Sequence, residues 1–159
     1  ASVGEHDLVQ TALKDRGLAV DFWQIAMRPG KPLMFGRLGD TLVLGLPGNP
    51  VSSMVCALLF LRPLLAALLG LAERDPPRAR ATLGAPLAAN DRREDYLRAA
   101  LGRDASGNLT ATPFKVQDSS MLSWLARADC LIMRPALAPA LDAGATVEVI
   151  PFAADPGGF

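Results

Sequence analysis

Apolar residues follow different spacings along the first 70 residues, and these spacings predict an α/β arrangement. Over residues 5–17 they recur three and four positions apart, which predicts an amphipathic helix that ends at Gly17. Short β-prone runs predict strands over 19–27, 33–37 and 41–46. This order of elements is typical of an α/β domain, but it is too short for a complete doubly wound sheet.

A long apolar run from residue 50 to about residue 69 predicts a helix that stops at Gly70. Pro63 is expected to kink or divide this helix, because proline lacks the N–H that the helix interior needs. The apolar stretch is short for a membrane span, and Arg62 and Pro63 interrupt it. We therefore expect a buried helix and no contact with a membrane.

The charged, double-proline segment 73–78 predicts a linker between two domains, over residues 1–72 and 79–159. Beyond the linker the pattern becomes β-rich and includes one short helix over 119–127, with Ser119 or Ser120 as its cap. The predicted strands of this second domain cover residues 79–87, 96–103, 109–114, 130–134 and 146–150.

Composition narrows the possible functions. The 159 residues carry 16 basic and 16 acidic side chains, so no basic excess points to nucleic acid or an anionic membrane. Cys56 and Cys130 lie in apolar surroundings, which indicates buried reduced thiols of a cytoplasmic protein. One histidine excludes most His-based metal sites. No signal peptide is visible, and the start at Ala1 suggests a piece of a longer protein.

The first candidate cluster is Glu5-His6-Asp7, at the start of the first predicted helix. Two carboxylates there would favour the helix dipole, which is the simpler interpretation. The alternative makes Asp7 a ligand of Mg²⁺, because hard cations prefer carboxylate oxygens.

The second cluster is the loop 28–32, in which Arg28 and Lys31 are bracketed by two prolines around Gly30. Two cations on a stiff loop can face an anion with little loss of entropy. The alternative is a solvated turn.

The third cluster is the segment 46–53, between a predicted strand and the long helix. Gly48 can adopt backbone angles closed to other residues, Asn49 is a helix N-cap candidate, and Pro50 suits the first helical position. The helix N–H groups and the positive end of its dipole would then face an anion, with Ser52 and Ser53 adding hydroxyls. The alternative is a good helix start that binds nothing.

Together the second and third clusters predict an oxyanion or phosphate pocket. The strands that end at Met27 and Leu46 would each deliver one of these loops, and ligands of open α/β sheets bind at the carboxyl ends of strands.

The segments 2–7, 28–32 and 46–52 occur in the order found in the molybdopterin molybdenumtransferase (MoeA/gephyrin) family, which the chain resembles nearly from end to end. The resemblance implies that residues 1–70 form the second half of a molybdopterin-binding α/β domain and residues 76–159 a β-barrel-like domain. It also implies insertion of molybdenum from molybdate into adenylated molybdopterin, with release of AMP and help from Mg²⁺.

The resemblance carries roles onto individual positions. Asp7 resembles an acidic residue near the metal and molybdate, and Arg28 stands where the family usually has a substrate-contacting Lys, so Asp7, Arg28 and Lys31 are the expected catalytic residues. The expected substrate-binding residues include Lys31 on the pterin and phosphate side, together with Pro47, Gly48, Asn49 and Ser52. On the molybdate side they are Arg98 with Ser119 or Ser120.

The chain also departs from the family pattern. Gln24 occupies a position where some members carry another Lys, and the family's preceding Gly-rich motif and acidic Mg²⁺ ligands are absent, so the 159-residue chain is not expected to catalyse by itself. The resemblance suggests a homodimer, and a molybdopterin adenylyltransferase and acceptor molybdoenzymes as partners. The alternatives are a scaffold that uses the second domain and an adenylyltransferase-like enzyme.

Overall fold

The computed structural model describes residues 8–72 and 75–153, and the chain forms two compact units that divide between Asp75 and Pro76. This division falls within the segment 73–78 that the sequence predicts as a linker. The candidate cluster Glu5-His6-Asp7 lies outside the described residues.

The first unit contains a three-stranded antiparallel sheet. Helix α1 (Leu8–Lys14) precedes it, and Gly17 follows the helix with a φ of 92°. The sheet order is β1-β3-β4, and the remaining strand of the unit, β2, is very short. The strands are β1 (Ala19–Phe22), β2 (Met27–Arg28), β3 (Met34–Leu38) and β4 (Thr41–Gly45).

The prediction of one strand over residues 19–27 was wrong. The register between β1 and β3 shifts between Val20 and Phe22, and Phe22 then pairs with Phe35. Only Met34 of β3 remains beyond that pair, so the chain after Phe22 has almost no partner strand left. The chain leaves the sheet after Phe22, and the next strand, β2, begins at Met27.

The predicted long helix runs from Pro50 to Leu68 in three consecutive parts: α2 (Pro50–Cys56), a π-helical turn (Ala57–Leu61) and α3 (Arg62–Leu68). The expected effect of Pro63 takes the form of this wider turn, in which the Arg62 N–H bonds to the Ala57 carbonyl. At the other end Gly70 has a φ of 69°, and the N–H groups of Gly70 and Leu71 bond back to Ala67 and Ala66.

The prediction that this helix is buried was wrong for most of its surface, since 28% of its most apolar 18-residue window is buried. The buried residues of α2 are Val51, Ser52, Val55 and Cys56, which form one face because they recur at helical spacing. The helix is long and apolar enough to cross a membrane by length and composition, a test that core helices of soluble proteins also pass.

The second unit contains a closed barrel of five strands. Strands follow the order β6-β7-β5-β9-β8, and a pairing between β8 and β6 closes the circle. The pairing of β5 with β7 is parallel, and the other four are antiparallel. The elements are β5 (Ala79–Leu83), β6 (Glu94–Arg103), β7 (Leu109–Pro113), α4 (Leu122–Ala126), β8 (Cys130–Arg134) and β9 (Thr146–Pro151).

The core of the barrel is made of alternate residues along its strands. A five-stranded barrel has a narrow interior, and alanines contributed by three strands, Ala81, Ala99 and Ala111, leave room there for larger side chains. The whole buried set is Ala81, Leu83, Ala99, Ala111, Cys130, Ile132, Val147 and Val149.

Two predictions for this unit need correction. The strand predicted over 79–87 ends at Leu83, and Leu87 forms only an isolated bridge with Leu141, because Pro86 has no N–H to extend the ladder. The predicted helix 119–127 begins at Leu122, so Met121 occupies its N-cap and neither serine caps it.

Candidate functional site

In the first unit, the two loops of the predicted anion pocket lie at the same end of the sheet. The first residue of β3, Met34, pairs with the last residue of β4, Gly45. The loop 28–32 leads towards β3 and the segment 46–49 leaves β4, so the two segments meet at this end. Their proximity was predicted, but its reason was wrong: antiparallel pairing places them together, not the shared carboxyl ends of parallel strands.

The backbone of loop 28–32 is held against helix α2. Gly30 has a φ of 117°, and a Cβ atom there would lie 2.5 Å from the Cys56 Sγ. The Cys56 thiol donates a hydrogen bond to the Gly30 carbonyl at 3.8 Å, and burial raises the pKa of this thiol to about 12. Only glycine fits this contact, which joins the basic loop to the helix that follows β4.

The Lys31 carbonyl closes the same loop. It accepts hydrogen bonds from the Ile25 and Leu33 N–H groups, each at 3.0 Å. The side chains of Arg28 and Lys31 are nevertheless exposed. The structure therefore places two exposed basic residues on a well-supported backbone.

Asn49 is the N-cap of α2, as predicted, and Pro50 takes the first helical position. The Asn49 Oδ1 accepts from the Ser52 N–H at 3.3 Å and from the Ser52 hydroxyl at 3.5 Å. The Ser53 N–H donates to the Asn49 carbonyl at 2.8 Å. These bonds use three of the donors that the prediction assigned to an anion.

Few first-turn donors therefore remain. Pro50 has no N–H. In the first turn of α2, which lies within the described residues, the backbone N–H of Val51 makes no hydrogen bond. Ser52 is buried, so its hydroxyl faces the protein and its cap. The positive end of the helix dipole remains available to an anion near Gly48.

Gly48 does not use the conformational freedom that the sequence suggests, because its φ lies outside the left-handed region. A Cβ atom at Gly48 would meet nothing within 4 Å. Pro47, beside it, is buried. Open space over an exposed Gly48 backbone is compatible with a close approach by a ligand.

In the second unit, Arg98 on β6 is 2% exposed and is enclosed by the segment 114–121. Its Nη1 donates to the Met121 carbonyl at 3.3 Å, and its Nε donates to Gln117 Oε1 at 3.4 Å. Burial lowers the pKa of Arg98, while the nearby negative charge of Asp118 acts in the opposite direction. The structure thus confines one guanidinium beside a turn.

That turn contains both predicted serines. Asp118 Oδ1 accepts from the Ser120 N–H at 2.8 Å and from the Ser120 hydroxyl at 2.9 Å. These bonds are the main cause of a lowered pKa for Asp118, and Arg98 contributes as well. Ser119 is half-buried within the turn and Ser120 is exposed.

The described residues do not supply a magnesium site. No three His, Cys, Asp or Glu side chains of residues 8–72 and 75–153 lie together in a way that could hold a metal ion. The predicted metal ligand, Asp7, is outside that part of the chain.

Sequence reasoning missed two side-chain contacts that the structure reveals. Gln117 contacts the backbone and the side chain of Arg98, and Cys56 anchors Gly30. Gln117 stands 19 residues from its partner with no periodic pattern to link them. Contacts of this kind depend on tertiary packing, which brings together residues far apart in the chain.

Comparison with known protein families gives one match for each unit. Residues 1–67 match the family described as "Probable molybdopterin binding domain", and residues 80–152 match "MoeA C-terminal region (domain IV)". The two matches are consecutive, and the division between the units lies in the interval 68–79 that separates them.

Similar proteins carry names from the same family. A molybdopterin molybdenumtransferase of Haemophilus influenzae is 34% identical over 95% of this chain, which covers 37% of that protein. One from Synechococcus elongatus is 48% identical over 42% of the chain, which covers 17% of it. The crystal structure of a molybdopterin biosynthesis MoeA protein from Pyrococcus horikoshii matches 97% of the chain and 37% of its own length, with a TM-score of 0.76 and 29% identity.

Proposed function

Because the chain belongs to the molybdopterin molybdenumtransferase (MoeA) family, we propose that it serves molybdenum cofactor biosynthesis. Its reaction would insert molybdenum from molybdate into adenylated molybdopterin and release AMP. The chain spans 37% of the length of the Haemophilus influenzae protein and 17% of the length of the Synechococcus elongatus protein. The activity proposed here is that of the whole protein.

One observation carries the proposal: the basic loop 28–32 and the start of helix α2 lie at the same end of one sheet, through the pairing of Met34 with Gly45. This arrangement belongs to the unit that matches a molybdopterin-binding domain. Adenylated molybdopterin is an anion, and exposed cations beside a helix N-terminus would attract its phosphates.

We assign the residues of the first unit to the pterin and phosphate side. Lys31 and Arg28 would contact phosphate oxygens, Lys31 as a point charge and Arg28 with the geometry for two parallel bonds. The segment Pro47, Gly48, Asn49 and Ser52 would shape the remaining wall. Asp7 stays a proposed catalytic and metal-binding residue.

We assign Arg98 and the turn with Ser119 and Ser120 to molybdate. A buried guanidinium attracts an oxyanion more strongly than an exposed one, because water screens it less. An oxyanion would replace the long bond from Arg98 Nη1 to the Met121 carbonyl, 3.3 Å in the structure. Placing molybdate and a phosphorylated pterin in one reaction requires such donors, since both reactants are anions.

Binding of adenylated molybdopterin to the chain, with the Lys31→Met and Lys14→Met variants, is the direct test. Both lysines are exposed, but Lys14 lies in the last turn of α1. Loss of one phosphate contact is expected to weaken binding about tenfold for Lys31→Met, which corresponds to about 1.4 kcal/mol. Lys14→Met should bind like the unchanged chain.

AMP release, measured with and without molybdate in the longer protein that the sequence predicts, tests the reaction itself. Release that depends on molybdate would support the transferase. Bound adenylated pterin without release would favour a carrier or scaffold, and equal binding by both lysine variants would contradict the assigned phosphate side.

We further propose a cytoplasmic homodimer, as the family resemblance implies. Sedimentation of the longer protein at several concentrations tests the dimer, and a monomer at all of them would contradict it.

A further inference from the structure

We propose that Gln117 is a positioning residue that holds the Arg98 guanidinium in the orientation needed to receive an oxyanion. The inference rests on the proposed role of Arg98 in molybdate binding and adds to it a residue that does not itself touch the substrate. Its basis is a set of contacts between Gln117 and Arg98 within the second unit.

The Gln117 side chain contacts Arg98 at three points. Its Oε1 accepts from the Arg98 backbone N–H at 3.0 Å and from the Arg98 Nε at 3.4 Å. Its Nε2 donates to the Arg98 carbonyl at 3.0 Å. One amide therefore holds both the backbone and the base of the guanidinium, which restricts the torsions between them.

An amide suits this position because it is neutral. A carboxylate in the same place would accept the same two bonds, but it would also cancel the charge of Arg98 and compete with an incoming oxyanion. Gln117 directs the guanidinium and leaves its positive charge uncompensated at close range. Asp118, an acidic group that influences Arg98, is exposed and acts through its electric field.

The same amide fixes the turn beside Arg98. Gln117 Nε2 also donates to the Phe114 carbonyl at 2.9 Å, and the Phe114 N–H donates to the Arg98 carbonyl at 3.0 Å. Asp118 follows at once and holds Ser120. Gln117 thereby sets the distance between the guanidinium and the two serines proposed for molybdate.

A purely structural role for Gln117 predicts a different response to mutation. If Gln117 only anchors the segment 114–121, its loss should lower stability and affect molybdate binding equally with or without Arg98. If Gln117 acts through Arg98, its effect on binding should vanish once the guanidinium is removed.

The experiment is a double-mutant cycle on the 159-residue chain, read out as molybdate affinity by titration calorimetry. Gln117→Met removes all the amide bonds at nearly constant volume, and Val116→Met, at the exposed neighbouring residue, is the matched control. We expect about tenfold weaker binding for Gln117→Met, no change for Val116→Met, and no further loss when Gln117→Met is added to Arg98→Met.

A second measurement tests the contact without molybdate. Hydrogen exchange of the Arg98 Nε–H, followed by NMR, should accelerate at least about tenfold in Gln117→Met, because its acceptor is gone. In Gln117→Glu an acceptor for the Nε–H is retained, so its exchange should stay slower than in Gln117→Met. Molybdate affinity should still fall, because the charge of Arg98 is cancelled and the second carboxylate oxygen faces the Arg98 and Phe114 carbonyls. If Gln117→Met does not fold, Gln117→Glu replaces it in the measurement of molybdate affinity.

The outcomes separate this inference from the proposed function. If the unchanged chain binds molybdate and Gln117→Met binds it equally well, or if the two substitutions are additive, the positioning role is overturned and the proposed function stands. If Arg98→Met leaves molybdate affinity unchanged, or the chain binds no molybdate, the assignment of Arg98 fails and the positioning role fails with it. Faster Nε–H exchange would then mark a structural bond alone.

Discussion

The two units present their cations in opposite ways. In the first unit the side chains of Arg28 and Lys31 are exposed. The part that is held in place is their backbone, because Gly30 contacts Cys56. In the second unit Arg98 is 2% exposed, and its side chain is itself held in place by a hydrogen bond to Gln117. Exposed cations suit attraction and capture of a large anion, whereas a confined guanidinium suits discrimination of a small one.

Each unit nevertheless uses a buried thiol next to its cation. Cys56 donates to the Gly30 carbonyl and Cys130 donates to the Ala99 carbonyl, both at 3.8 Å. Gly30 adjoins Lys31 in the chain, and Ala99 adjoins Arg98. Small, weakly polar side chains thus pack closely against the backbone that carries each cation.

The largest effect is expected at Gly30, where a substitution tests whether the backbone of loop 28–32 is held rigidly. Gly30→Ala should lower the free energy of unfolding by about 3 kcal/mol, because the new Cβ meets Cys56 and the φ of 117° is strained for alanine. Urea denaturation measures this change. Gly48→Ala, at a position with open space, should change stability by less than about 0.5 kcal/mol. Equal effects at the two glycines would contradict a rigid loop 28–32.

Removing one cation from each unit sharpens the same contrast. Arg98→Met should lower the free energy of unfolding by about 2 kcal/mol, because buried hydrogen-bond partners lose their donor. Lys31→Met should cost less than about 0.5 kcal/mol, since its side chain is exposed. Denaturant midpoints at constant slope report both values. A larger loss of stability for Lys31→Met than for Arg98→Met would contradict the view that the Arg98 side chain is held in place and the Lys31 side chain is not.

High pH should weaken both units through their thiols. Burial raises the pKa of Cys56 and of Cys130 from 9.0 to about 12, so the folded state holds these protons more tightly than the unfolded state. The stabilisation is complete below pH 9 and is lost as pH rises from 9 towards 12, by about 1.4 kcal/mol per pH unit for each thiol. Unfolding at pH 8 and pH 10 measures it.

Single variants assign the pH effect to each unit. Cys56→Ala and Cys130→Ala should each remove one thiol's share of the slope. Tyr96 contributes in the same direction at higher pH, because burial, and then Glu94, raise its pKa from 10.0 to about 12. A slope unchanged in both variants would mean that the thiols ionise alike in the folded and unfolded states.

The smallest expected effect separates helix capping from anion binding at Asn49. Asn49→Ala should cost about 1 kcal/mol of stability, because the Ser52 N–H loses its acceptor. Asn49→Asp keeps the acceptor and should preserve stability, yet its negative charge should weaken binding of adenylated molybdopterin. Unchanged affinity in Asn49→Asp, measured by titration, would favour a helix start that binds nothing.

Local signals predicted most elements of the fold. Strand β8 was predicted over residues 130–134 and found there, because a short apolar run flanked by polar residues contains all the information that such a strand needs. Asn49 and Pro50 likewise determine the start of α2 from within one turn. An error arose where a partner strand decides the length of an element, as at the end of β1 after Phe22.

The candidate site divides in the same way. Arg28, Lys31 and the segment 46–52 could be found from the sequence, because their chemistry depends on residues adjacent in the chain. Gln117 could not, because its partner Arg98 is brought to it by the pairing of β6 with β7. The local role expected for Ser119 or Ser120, a helix cap, was wrong, since Asp118 holds a turn there and Met121 occupies the N-cap.

By itself the sequence determined a resemblance to a family, the two-part organisation, the positions of most helices and strands, and the basic and helix-capping motifs. Only the tertiary structure decided which of these motifs meet, how the barrel closes, and whether each cation is exposed or confined. The physical reason is the distance along the chain over which each interaction acts. Propensity, capping and turn chemistry act within a few residues, whereas antiparallel register and burial depend on partners such as Cys56 for Gly30 and Gln117 for Arg98, 26 and 19 residues away.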